Sequence, residues 1–170
     1  MRTTQESNKS VYNADFRHGE CGVMKKILSE LFPSVFKQTS QPNDVVAAGE
    51  QLFSHWVTAV NCCDVNAVMQ FFAADVIFYG TSTKTLITSS NGIRQYFEQA
   101  FAQLQPLSMS IDNKKMLSVS DDVMQLACSD KWSVTLDGQQ QVMFGRLVLT
   151  AVIRQGQWKI VSFHRSVMPE

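Results

Sequence analysis

The hydrophobic pattern of this chain changes period once, at about Pro106, and that change limits the fold more than any other feature. Before it, apolar residues recur at helical spacing. The linker Thr39 to Asp44 supplies the N-cap of a helix carrying Val45, Val46, Leu52, Phe53, Trp56, Val57 and Val60 on one side. Asn61-Cys62-Cys63-Asp64 ends it and caps a second, in which Val65, Val68, Met69, Phe71 and Phe72 supply the buried face. A short strand, Val76 to Tyr79, stops at Gly80. A Thr/Ser loop then leads to a helix over Gly92 to Gln103, capped by Asn91 or Ser90, with Ile93, Tyr96, Phe97 and Phe101 facing inward. After Pro106 the residues alternate. Leu107 to Ile111, Lys115 to Val119, Val123 to Leu136 and Val142 to Arg154 read as strands, with Gln139-Gln140-Gln141 as a polar turn. Helices first and an antiparallel meander after is an α+β pattern.

Gln155-Gly156 makes a tight turn into the closing strand, Gln157 to Ser166. Strict alternation places Trp158, Ile160, Ser162 and His164 on one face and Lys159, Val161, Phe163 and Arg165 on the other. Both faces are largely apolar, so both are expected to be covered. A covered strand ending in His-Arg-Ser needs partners for its polar groups, which a pocket mouth or an interface supplies. Trp158, Ile160, Leu147 and Leu149 exceed what one layer of helices covers, which predicts a homodimer through the outer face of the sheet.

Composition excludes several classes. Fifteen basic and fifteen acidic residues balance, so the chain has no field to attract nucleic acid or an anionic membrane. No run approaches the roughly 18 apolar residues of a membrane span. The run after Met24-Lys25-Lys26 is broken by Glu30 and Pro33, so no signal peptide is read and a soluble, cytoplasmic protein is expected. Cys21, Cys62, Cys63 and Cys128 lack metal-ligand spacing and are expected to be reduced. His18, His55 and His164 are scattered, so neither a metal nor a cofactor is expected. Residues 1–43 are polar and aperiodic apart from a helical pattern over Lys25 to Lys37, and read as a partly disordered extension before a domain over 44–170.

The helix ending Asn61-x-x-Asp64, Asp75 before the first strand, Ile93-x-x-Tyr96-Phe97 and the closing Trp-Lys-Ile-Val-Ser-Phe-His-Arg-Ser resemble the nuclear transport factor 2-like superfamily, over about three quarters of the chain. Within it the closing strand is most similar to the association domain of calcium/calmodulin-dependent protein kinase II. The resemblance implies a cone, in which a curved antiparallel sheet wraps the N-terminal helices around a pocket. Nothing in it implies kinase activity. The superfamily also holds SnoaL-like cyclases and ketosteroid isomerases, so the fold alone does not decide function.

The association domain lines its pocket with three arginines. By strand phase, Lys131, Leu149 and Arg165 stand in those places, so the resemblance implies two cations facing inward together and an anionic or carboxylate ligand. Trp56, Tyr79 and Tyr96 complete the expected ligand-binding set with Lys131 and Arg165. The isomerase constellation is absent, since its positions fall on Trp56, Gly80 and Leu149. The remaining acid-base candidates are Asp130, mid-strand between Cys128 and Trp132, and His164. The sequence thus points first to a small-molecule-binding homodimer. An isomerase, cyclase or dehydratase using Asp130 or His164 is the alternative, and an oligomerisation module without ligand the third.

Overall fold

A computed structural model describes residues 42–104, 107–136 and 138–168. The expected helix over Lys25 to Lys37 and most of the extension 1–43 lie outside the described residues. Helices α1 (Pro42–Asn61) and α2 (Val65–Met69) precede strand β1 (Phe72–Tyr79). Helix α3 (Ser90–Gln103) follows, then β2 (Leu107–Ser120), β3 (Val123–Leu136), β4 (Gln139–Arg154) and β5 (Gln157–Val167). The strands form one curved, unclosed sheet in the order β1-β5-β4-β3-β2, so the fold is α+β with the helices on its inner face.

Helix α1 places Asp44 in its first turn, where a carboxylate complements the helix dipole. Its buried side is Val45, Leu52, Phe53, Trp56, Ala59 and Val60, at the helical spacing read from the sequence. Gly49 lets this helix sit directly on Met116 and Met124, since a Cβ there would lie 2.3 Å from each sulfur. Cys63 turns the chain with φ 51°, and Asp64 caps α2 by accepting from the Ala67 N–H at 3.1 Å. The cap of α3 is Ser89, whose hydroxyl accepts from the Gly92 N–H at 3.2 Å. That is one residue before the two candidates read from sequence. Among the described helices none is long and apolar enough to cross a membrane.

Several boundaries differ from the expected ones. Phe71 and Phe72 do not continue α2, because β1 begins at Phe72 and pairs parallel with β5, so the sheet is mixed rather than wholly antiparallel. The two strands expected between Leu107 and Val119 are one, interrupted by a bulge at Asn113, whose φ is 47°. Gln139 to Gln141 belong to β4 and pair with Val134 to Leu136, so they are not a turn. The expected turn at Gln155-Gly156 does form, with φ of 53° and 76°. Cys62 is disulfide-bonded, against the expectation of four reduced thiols.

The largest departure lies in β5. Leu149 pairs with Phe163 and Thr150 with Ser162, yet Ala151 pairs with Ile160, so Val161 is an extra residue. An unpaired residue reverses the facing of everything beyond it. Trp158 and Ile160 therefore share the inner face with Phe163 and Arg165, and all four are buried. Leu147 and Leu149 are inner residues as well. The apolar side chains left on the outer face include Ile77, Tyr79, Leu117, Val142, Phe144 and Val148, each at least 41% exposed. The interior is dominated by aromatic rings. Phe78 stacks on Phe163 at 4.8 Å with planes 6° apart, and Trp56 tilts against Phe163 at 5.5 Å.

Candidate functional site

Asp130 and Arg165 meet inside the sheet. They are 1% and 5% exposed and are the charged residues buried among those described. Asp130 is mid-strand in β3, opposite Gly145 of β4, and Arg165 in β5 lies opposite Leu147, so β4 stands between their strands and both side chains reach over it. Gly145 makes that reach possible, because a Cβ there would lie 2.5 Å from both Arg165 Nη2 and Asp130 Oδ1. Arg165 Nε donates to Asp130 Oδ2 at 2.9 Å and Nη2 donates to Oδ1 at 2.5 Å, a fork on a carboxylate. The third nitrogen, Nη1, donates to the Thr81 hydroxyl at 2.6 Å. The guanidinium carbon lies 4.6 Å from the centre of the Trp132 ring, within cation–π range.

The loop after β1 closes over this group. Gly80 is buried, and a Cβ on it would lie 2.3 Å from the Tyr96 ring, so the glycine lets the ring approach the chain closely. Burial pushes the Tyr96 phenol above its ordinary value, opposed by hydrogen bonds from Thr81 and Ser82 and by the Arg165 charge. The phenol therefore stays protonated near neutral pH and is a donor. Burial also pushes the Cys128 thiol up to about 12, with Asp130 adding to the rise, so this cysteine is no nucleophile.

The structure separates the expected site residues into two groups. Trp56, Tyr96, Asp130 and Arg165 belong to the interior, whereas Tyr79, Lys131 and His164 lie on the outer face. Lys131 pairs with Phe144 and His164 with Val148, both outward, and the His164 ring is 6.0 Å from Tyr79. The inward pair of Lys131 and Arg165 does not form. Lys131 alternates with buried Asp130 and Trp132, so its side chain must take the opposite face. Sequence reasoning missed Trp132, Thr81 and Gly145. Trp132 is two residues from Asp130 and shares its face, and a glycine inside a strand marks a close approach, so both carried a signal. Thr81 carried none. Among the described residues no three of His, Cys, Asp and Glu gather as a metal site requires.

This architecture, a curved, unclosed sheet over N-terminal helices, is that of the nuclear transport factor 2-like cone proteins. The SnoaL-like domain model matches residues 50–170, and the chain belongs to that family. Among solved structures it is similar to a candidate calcium/calmodulin-dependent protein kinase II association domain from Xanthomonas campestris, at 22% identity and a TM-score of 0.66, covering 80% of this chain and 98% of that one. It is also similar to a nuclear transport factor 2-like protein of unknown function from Pseudomonas putida, at 14% identity and a TM-score of 0.69, covering 77% and 92%. A hexachlorocyclohexane dehydrochlorinase from Novosphingobium barchaimii matches at 13% identity and a TM-score of 0.65, covering 74% and 88%. No curated protein matches the chain.

Proposed function

We propose that this protein is a small-molecule-binding domain that works as a homodimer, with its ligand received on the inner face beside Asp130, Arg165, Trp132, Thr81 and Tyr96. The observation that carries the reading is the buried Asp130–Arg165 fork. Taking two charges out of water is costly, and apolar side chains of similar size commonly do at least as well for stability. A pair kept at 1% and 5% exposure, with a glycine opened to admit it and Thr81 and Trp132 arranged around it, suits a site better than a plain core.

The anion expected to neutralise Arg165 is Asp130 itself. With Lys131 on the outer face, the cluster has no net charge to offer a carboxylate, so the ligand we propose is uncharged. Assembly through the outer face is supported by Ile77, Tyr79, Val142, Phe144 and Val148, an exposed apolar surface spread over β1 and β4.

An acid-base enzyme is the second reading. It is favoured by the protonated Tyr96 beside the ion pair and by the dehydrochlorinase among the structural neighbours. Binding ranks first because both Asp130 oxygens already accept from Arg165, which leaves the carboxylate poorly placed to take a proton. A thermal-shift screen of neutral cyclic ketones, esters and alcohols tests the choice. Stabilisation that is lost in Thr81→Val and Tyr96→Phe but kept in Lys131→Met and His164→Gln is expected. Hits indifferent to Thr81 and Tyr96, or turnover of a hit that depends on His164, would refute it.

A further inference from the structure

Two polar atoms in the interior have no hydrogen-bond partner among the described residues, and both are donors: the indole nitrogens of Trp56 and Trp132. Trp56 is 0% and Trp132 6% exposed, so neither nitrogen can be dismissed as a surface group turned to solvent. A buried N–H without an acceptor is among the less common and more costly features of a folded chain. The two rings belong to one stretch of the interior. Trp56 lies 5.5 Å from Phe163, Phe163 and Arg165 share a face of β5, and Arg165 lies 4.6 Å over Trp132.

The surroundings are one-sided. The two tryptophans supply donors only, whereas the carboxylate of Asp130, the strongest acceptor present, is already engaged by Arg165 through both oxygens. A ligand that settles here must therefore bring acceptors of its own. An anion would bring them too, but would place an uncompensated charge beside Asp130 in an apolar interior. Donor-rich ligands such as amines would meet more donors. Phe53 stacks on Trp56 at 5.7 Å and Phe163 tilts against it at 5.5 Å, apolar neighbours that suit a hydrocarbon body.

Resting on the binding role proposed above, we infer that the ligand is an uncharged, largely apolar molecule with carbonyl or ether oxygens, received by the indole N–H groups of Trp56 and Trp132. The cluster reads the acceptor, and the phenylalanines hold the body. Trp158, the third tryptophan, lies on the same face, but its indole nitrogen is not among the orphaned donors, so it is an internal reference.

The test uses the full chain labelled with nitrogen-15, titrated with 1-indanone, indane and indane-1-carboxylate. Indole signals are assigned from Trp56→Phe and Trp132→Phe. The ketone is expected to move the Trp56 and Trp132 indole signals, to leave Trp158 unmoved and to bind about tenfold more tightly than indane, the gain two modest hydrogen bonds provide. Each tryptophan-to-phenylalanine change should reduce that advantage about threefold. Equal binding of ketone and indane with still indole signals would overturn the inference while leaving a binding pocket intact. Tightest binding by the carboxylate would overturn it as well. Failure of all three to bind would remove both the inference and the role beneath it. If a variant does not fold, the wild-type indole shifts still decide.

Discussion

Arg165 and Asp130 are joined by two hydrogen bonds across an intervening strand, and the space for that joint is made by Gly145. Removing either partner leaves a buried charge without its neutraliser. Asp130→Asn and Arg165→Met should therefore each cost roughly 3 to 5 kcal/mol in urea unfolding, whereas the double variant Asp130→Leu/Arg165→Met should cost far less than the sum. Additive losses would show that the two side chains do not act as a unit. Gly145→Ala should resemble the single variants, because its methyl group would collide with both partners.

Asn61, the last residue of α1, holds the edge strand β2 through both halves of its amide. Its Nδ2 donates to the Met109 carbonyl at 3.1 Å, and its Oδ1 accepts from the Met109 N–H at 2.6 Å. Asn61→Ala should lose about 1 to 3 kcal/mol, and Asn61→Asp should be nearly as harmful, since a carboxylate cannot donate to the carbonyl. Hydrogen exchange localises the effect. The Met109 amide should lose protection first, and an unchanged Met109 amide in Asn61→Ala would contradict this account.

The raised Cys128 thiol predicts a pH dependence with a definite sign. In the unfolded chain the thiol ionises near its ordinary value of 9.0, whereas in the fold it holds its proton to about 12. A group raised in the fold contributes stability that is present below the unfolded value and lost as pH rises through the folded one. Unfolding free energy should therefore fall between about pH 9 and pH 12, and Cys128→Ala should show a shallower slope over that window. Parallel slopes in the two proteins would show that Cys128 does not titrate with unfolding.

Assembly is tested on the outer face. Light scattering coupled to gel filtration should give twice the chain mass of 19.1 kDa at micromolar concentration. Phe144→Lys combined with Val148→Lys should shift the species to monomer without lowering helix or strand content, since both side chains point away from the core. A wild-type monomer, or a dimer untouched by the double lysine change, would rule this face out.

Much of this protein was legible in its residues because the information was local. Helical spacing around Trp56 and Phe97, the turn at Gln155-Gly156 and the change of period at about Pro106 each depend on neighbours within a few positions, and all appear in the fold. Asp130 was conspicuous as a carboxylate inside a β-rich run. What the sequence could not specify was register. The parallel partnership of β1 with β5 joins residues more than eighty positions apart, and no local pattern encodes it. The bulge at Val161 is a stronger case, because an apolar strand covered on one side and apolar on both tolerates an extra residue without any break in its composition. That residue puts Arg165 on the same side as Trp158 and Ile160, and His164 on the other. The sequence by itself determined that polar groups would end a largely apolar last strand, where burial demands partners. Only the tertiary structure decided that the counter-charge of Arg165 would be Asp130, because the strand phase that excludes Lys131 is fixed by pairing across β4.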